Sequence, residues 1–169
     1  MNRFFITLFY SGLYPKAPGT VGSFVALLIG IPVLAYLGNQ LMFTLTLLIS
    51  AIAVKEINRY EASSGTHDDK SIVIDELAGM WFALSIAPGT MLNFSDIFDF
   101  SNGFLIQSLL AFVLFRYFDI VKPSIIGRID RNMSGGLGVM LDDIVAGFAA
   151  GISAAFLWQM GLKLLPYLS

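Results

Sequence analysis

Long apolar stretches without charge are the feature that most limits how this chain can fold. Val21–Leu37 carries no charged side chain and is just long enough to cross a bilayer as a helix. The other apolar stretches are Leu41–Val54, Ile72–Ala87, Phe104–Phe118 and Asp142–Leu162. A mean hydropathy of +0.76 is far above that of soluble domains. The sequence therefore predicts an all-α, multi-pass helical membrane bundle with about five apolar helices.

The ends of these helices are marked by short polar segments. Met1–Tyr10 is predicted to be a retained amphipathic N-terminal segment, and Thr20 to cap the first apolar helix. A turn is expected at Gly38-Asn39-Gln40, and Pro123 is expected to stop the fourth helix at Lys122. Because no linker or low-complexity tract divides the 169 residues, they are predicted to form a single domain, 1–169.

Composition excludes several classes of function. A net charge of −2 without a dense basic run argues against nucleic acid as a partner. The absence of Cys excludes thiolate metal sites and a cysteine nucleophile. A single His, His67, cannot supply both the nucleophile and the acid of a two-histidine phosphatase. Neither an Asp-x-Asp-x-Thr sequence nor a Walker-type phosphate loop occurs.

The cationic residues predict how the helices are oriented. Loops 38–40 and 88–103 contain no Lys or Arg. The N-terminal loop and the loops 55–71 and 116–141 hold the cations Lys16, Lys55, Arg59, Lys70, Arg116, Lys122, Arg128 and Arg131. With five spans these three segments share one side of the membrane, and the positive-inside rule places them in the cytoplasm.

Two acidic pairs lie on that same side. Asp75-Glu76 opens one apolar stretch, and Asp142-Asp143 opens another behind the glycine-rich segment 135–138. Each pair is followed by a glycine, four residues after Asp75 and Asp143, which would let a neighbouring helix approach closely. One pair alone is typical of carboxylates that complement a helix dipole. Two pairs on one side favour ligation of Mg²⁺, with 135–138 as a loop whose amides face a ligand.

Cations near these pairs are candidates for binding phosphate. Arg116 and Asp119 share a helix face, either as an ordinary ion pair or as a phosphate clamp in which Asp119 orients the arginine or joins the metal shell. Lys122 lies just beyond. A second anion site would combine Lys16 with Thr20 and Ser23. The alternative is that Thr20 only caps a helix and that Lys16 only sets the orientation in the membrane.

Together these groups suit Mg²⁺-assisted attack of water on phosphorus. The candidate catalytic residues are Asp75, Glu76, Asp119, Asp142 and Asp143, of which all but Asp119 are the candidate metal ligands. Three alternatives remain, one of them a scaffold subunit with no chemistry. A Mg²⁺-dependent phosphatidyl transferase would carry an Asp-Gly-x-x-Ala-Arg signature, which is absent. A small ion or proton transporter would use the same acids as its pathway.

Five blocks in order resemble the phosphatidylglycerophosphatase A family. They are Pro15-Lys16-x-Pro18-Gly19-Thr20-x-Gly22-Ser23, His67-Asp68, Ile74-Asp75-Glu76-x-x-Gly79, Arg116-x-Phe118-Asp119-Ile120-x-Lys122-Pro123, and the segment from Gly135 to Gly147. The resemblance implies an all-α, Mg²⁺-dependent phosphatase of the bacterial inner membrane that converts phosphatidylglycerophosphate to phosphatidylglycerol, the cardiolipin precursor. It further implies that the four paired acids form the acidic centre and that Lys16, Arg116 and Lys122 handle phosphate.

Overall fold

A computed structural model describes residues 3–66, 69–87, 97 and 102–168, with side chains described as far as Leu164. All regular structure in these ranges is helical. The elements are α1 (Arg3–Ile6), a 3₁₀ turn (Ser11–Leu13), α2 (Pro18–Ser64), α3 (Ile74–Ile86), α4 (Phe104–Val121), α5 (Ile125–Asn132) and α6 (Gly135–Leu168). The predicted all-α fold class is therefore confirmed.

Helix α2 folds back on itself at Gly38. This glycine has φ 73° and ψ 171°, outside the helical region and in a range that residues with a side chain rarely adopt. Ile29 and Ile49 line the same cavity, whereas in a straight helix they would lie about 30 Å apart. The two halves, 18–37 and 39–64, therefore run antiparallel, with the turn where the sequence predicts it.

Three helices are long and apolar enough to cross a membrane in the described part of the chain. They are Pro18–Ser64, Phe104–Val121 and the 135–164 part of α6. Helix α3 forms within the predicted stretch Ile72–Ala87 but has only 13 residues, and a span needs about 20. The count of about five apolar spans, and the multi-pass arrangement, thus stay predictions.

Helix α3 lies at the centre of the fold, packed mainly against α2 and α6. Trp81 Nε1 donates a hydrogen bond to Ala26 O of α2 at 2.9 Å. On the other side, a Cβ atom at Gly147 of α6 would lie only 2.1 Å from Gly79 O. This backbone contact between two glycines brings α3 and α6 together one turn beyond their acidic pairs. The close approach predicted from the acid–glycine spacing is present.

The glycine-rich segment is helical, which corrects the expected ligand-binding loop. Helix α6 begins at Gly135, so Asp142 and Asp143 lie about two turns inside the helix, not at its mouth. The reason is packing: a Cβ at Gly136 would lie 2.4 Å from Val54 O of α2, so this glycine admits a neighbouring helix. Thr20 is likewise not a cap, because α2 already begins at Pro18.

The polar stretch 124–138 also contains an element that the sequence did not predict. Helix α5 occupies Ile125–Asn132, directly after α4 ends at Val121 and Lys122 adopts the left-handed conformation. The stop before Pro123 is as predicted. At the N-terminus, helical structure is limited to the four residues of α1, and Val73 N donates a hydrogen bond to Ile6 O at 3.0 Å. This bond ties the N-terminal segment to the residue that precedes α3.

We predict that Gly147→Ala destabilises the fold by about 1–3 kcal/mol, because its new methyl group meets backbone that cannot move aside. The thermal unfolding midpoint in detergent measures this. Gly161→Ala in the same helix is the control, since a Cβ there meets nothing within 4 Å among the described residues. A Gly147→Ala variant as stable as the control would contradict the proposed role of the contact.

Candidate active site

A polar cavity of about 340 Å³ opens where α3, α4, α5 and α6 meet. All five predicted catalytic acids line it. Its lining residues are Asp75, Glu76, Asp119, Lys122, Asp130, Arg131, Met133, Gly138, Val139, Asp142 and Asp143. The tertiary structure therefore brings both acidic pairs to one place, together with Asp119 from a third helix.

Arg116 of α4 holds two of these acids from behind. Its Nη1 atom donates to Glu76 Oε1 and Oε2 at 2.7 and 2.6 Å, and lies 2.9 Å from Asp119 Oδ2. Ser23 Oγ of α2 lies 2.6 Å from Glu76 Oε2 and 3.0 Å from the same Nη1. Arg116 thus fixes α2, α3 and α4 around Glu76, and it is already occupied by carboxylates.

Lys122 binds one acid of the second pair, Asp142. Its ammonium donates to Asp142 Oδ2 at 2.6 Å and also to Asp130 of α5. Partial burial disfavours its charge, but the hydrogen bonds to Asp130 and Asp142 outweigh this and raise the pKa of Lys122. The lysine therefore stays protonated and links the end of α4 to α5 and α6.

Asp75, Asp142 and Asp143 have carboxylate oxygens without a partner among the described residues. Asp143 makes no hydrogen bond or ion pair with any described residue, although it is 4% exposed. Asp142 Oδ1 is buried without a hydrogen-bond partner in the described ranges. Asp75 accepts only the backbone N–H of Glu76, at 2.9 Å. These three residues present carboxylate oxygens that pair with no other residue in the described part of the chain.

The two acids at the start of α3 have raised pKa values because they are buried close to other carboxylates. Helix α3 is not one of the three candidate spans. Burial, with the neighbouring Glu76 carboxylate, raises the pKa of Asp75 well above its usual range. Burial and Asp119 raise the pKa of Glu76 to about 7, against the opposing effect of Arg116. The cavity therefore favours an additional positive charge.

The donor set fits a hard divalent cation. Mg²⁺ prefers oxygen ligands and usually keeps several of its waters, binding through one or two carboxylates. Within the described ranges, no three or more acidic or histidine side chains close around a common point. The acids lie instead around an open cavity, with the unpaired oxygens of Asp142 and Asp143 available. His67 and Asp68 lie outside the described residues.

The predicted substrate-binding residues are not all at the cavity. Of Lys16, Thr20, Ser23, Arg116 and Lys122, only Lys122 lines it. Lys16 is exposed. Thr20 is also exposed, with its Oγ1 at 3.4 Å from Arg116 Nη2. Ser23 is fully buried behind Glu76. The glycine-flanked start of α2 therefore supports the acidic centre and does not itself line the cavity.

Two charged residues of the cavity were not predicted as site residues from the sequence. Asp130 and Arg131 belong to α5, and Arg131 was considered only as a topology charge. The available signal was the pattern of α5, in which Ile125, Ile126 and Ile129 alternate with charged residues. That pattern predicts a short amphipathic helix.

These features define a class of protein: a strongly apolar helical protein whose polar centre is a cavity lined by carboxylates. A sequence model described as "PgpA: Phosphatidylglycerophosphatase A" matches residues 4–158. The chain therefore belongs to the phosphatidylglycerophosphatase A family, a family of phosphatases, as its sequence motifs indicate.

Curated relatives agree with this assignment. The chain is 39% identical over 157 residues to phosphatidylglycerophosphatase A of Escherichia coli, covering 90% of this chain and 79% of the relative. For the protein of the same name from Haemophilus influenzae, the identity is 35% over 144 residues, covering 85% and 80%. A Bacteroides thetaiotaomicron protein named putative phosphatidylinositol-3-phosphatase is 34% identical over 160 residues, covering 92% of each chain. No solved structure matches the chain.

We predict that Arg116→Gln destabilises the protein by about 3–5 kcal/mol, because Glu76 and Asp119 would remain buried without their counter-charge. The thermal unfolding midpoint in detergent is the measurement. Arg59→Gln is the control: its ion pair with Glu56 is solvent-exposed on the arginine side and contributes at most about 1 kcal/mol. Equal losses in the two variants would contradict the role assigned to Arg116.

Proposed function

We propose that this protein is a Mg²⁺-dependent phosphatidylglycerophosphatase. It would hydrolyse the terminal phosphomonoester of phosphatidylglycerophosphate to phosphatidylglycerol and inorganic phosphate. The substrate is taken from the names of the Escherichia coli and Haemophilus influenzae relatives. The observation that carries the proposal is the convergence of five acids from three helices on one cavity.

The acids divide into two groups by their partners. Asp75, Asp142 and Asp143 have oxygens without a partner among the described residues. One or two of these carboxylates would bind Mg²⁺ directly, and the others, with Glu76, would contact the waters that the ion keeps. Mg²⁺ bound there would neutralise negative charge on the phosphate oxygens. Glu76 and Asp119 are bound by Arg116, and both residues line the cavity.

The remaining chemistry belongs to side chains of this chain. A carboxylate of the cavity orients the attacking water and accepts its proton. Lys122 is protonated and lies on the cavity wall beside Asp142, so it can donate a hydrogen bond to a phosphate oxygen. Arg116 and Ser23 act from behind by holding Glu76 in place.

The surroundings of the cavity support a lipid substrate. Ile120 and Val121 of α4 are 68% and 54% exposed, next to Asp119 and Lys122 of the cavity wall. Exposed apolar surface directly beside a polar cavity suits a molecule with acyl chains and a phosphorylated head group. The head group would enter the cavity while the acyl chains remain along α4.

We also propose that the site lies on the cytoplasmic side of a bacterial inner membrane. The relatives are bacterial, and three candidate spans support membrane residence. The cavity includes Lys122 and Arg131, which belong to the cation-rich segments that the positive-inside rule assigns to the cytoplasm.

We predict that Asp143→Asn reduces turnover of phosphatidylglycerophosphate by at least about 100-fold. The substitution keeps the shape of the side chain and removes no hydrogen bond to a described residue, so folding should be unaffected. Release of inorganic phosphate by purified protein is the measurement, with Glu56→Gln as a control whose ion pair with Arg59 lies outside the cavity.

Parallel assays separate the alternatives. Phosphate release from phosphatidylinositol 3-phosphate in preference to phosphatidylglycerophosphate would give the chain the substrate named for the Bacteroides relative. A requirement for a nucleotide-activated lipid would indicate a transferase. Ion flux in vesicles without phosphate release would indicate a transporter. Near-normal turnover by Asp143→Asn at saturating Mg²⁺ would contradict the role of this residue.

We predict that Mg²⁺ raises the thermal unfolding midpoint of the protein by binding the native carboxylates. At a hundredfold excess over the dissociation constant, such binding stabilises by about 2.7 kcal/mol. An Asp142→Asn/Asp143→Asn double variant should lose this shift, while Glu56→Gln keeps it. An undiminished shift in the double variant would place the ion elsewhere. This measurement does not depend on turnover.

A further inference from the structure

Arg131 is a cation of the cavity wall that pairs with no described residue of the protein. It lies in α5 and lines the cavity together with Lys122 and the five acids. It makes no hydrogen bond or ion pair with any residue of the described ranges. Its side chain is exposed. An arginine among carboxylates that pairs with none of them is therefore available to an incoming anion.

The other two cations of the site are engaged. Arg116 binds Glu76 and Asp119 and lies behind the cavity wall. Lys122 binds Asp142 and Asp130. If a substrate recruited either of them fully, the substrate would have to displace a partly buried carboxylate and leave it unpaired, which is costly. Binding to Arg131 has no such cost, because no described carboxylate would be released.

The position of Arg131 on α5 is set by its neighbours. A Cβ at Gly127, one turn earlier, would lie 3.2 Å from Arg131 Nη1 and 2.5 Å from Lys122 O. The guanidinium thus lies beside the surface of its own helix, where α5 meets the end of α4. The adjacent Asp130 binds Lys122. These contacts place the guanidinium near the backbone of Lys122, and both residues line the cavity.

We infer that Arg131 is the residue that first binds the phosphate of the substrate. This inference rests on the proposed function for the identity of the substrate, a lipid phosphomonoester. A guanidinium presents a planar set of donors that binds two phosphate oxygens at once. Arg131 holds the anion at the cavity wall against the negative field of the acids, and Lys122 then contacts the same phosphate. Arg131 is a binding residue and takes no part in proton transfer.

The test uses full-length protein in detergent and compares Arg131→Gln with Arg128→Gln. Arg128 is a matched control, since it is an exposed arginine of the same helix that does not line the cavity. Binding of inorganic phosphate is measured by calorimetry in the presence of Mg²⁺. KM and kcat are measured with phosphatidylglycerophosphate in mixed micelles.

We expect Arg131→Gln to weaken phosphate binding and to raise KM by about 10- to 100-fold, with kcat changed less than about threefold. Arg131→Lys should recover part of the affinity, and Arg128→Gln should match the unmodified protein. Phosphate affinity and KM unchanged in Arg131→Gln would overturn the inference, as would an equal loss in Arg128→Gln. If phosphate binding depends on Arg131 but phosphatidylglycerophosphate is not hydrolysed, the anion site is supported and the proposed function is wrong.

Discussion

The structure depends on the close approach of α3 and α6. Gly79 and Gly147 allow the two backbones to touch, with Gly147 so close to Gly79 O that no side chain fits between them. The acidic pairs lie one turn earlier on each helix, and this contact therefore places four carboxylates around one cavity. Such an arrangement is unfavourable by itself, because like charges repel and burial disfavours each charge. The fold must supply compensation close by.

The described cations neutralise only some of the acids around the cavity. Arg116 neutralises Glu76 and Asp119 from behind, and Lys122 neutralises Asp142 and Asp130 at the cavity wall. Asp143 and one oxygen of Asp142 are left without protein partners among the described residues. Buried polar groups in native proteins are almost always hydrogen-bonded, so unpaired ones need an explanation. The cation proposed above would provide it.

Much of this centre could be predicted from the sequence, because the acids mark the ends of apolar stretches and share one predicted side. Asp75, Glu76, Asp119, Asp142 and Asp143 all line the cavity, as does Lys122. The expected loop at Gly135–Gly138 is a helix, since glycines that admit a ligand and glycines that admit a helix look alike in one sequence. Gly136 contacts α2, whereas Gly138 lines the cavity. Asp130 and Arg131 were missed because only the turn at Lys122 directs α5 towards the acids.

The sequence by itself determined the helical class, the family and the identity of the acids, because hydropathy, charge placement and motif order are properties of the chain. It also determined the reversal at Gly38, where only glycine adopts the backbone conformation readily. Tertiary structure alone decided which cation serves which acid. Arg116 reaches Glu76 across 40 positions of sequence, and Arg131 lies beside the same cavity without a partner among the described residues. Which cation pairs with which acid depends on the distances between helices. Those distances cannot be read from the spacing of residues along one chain.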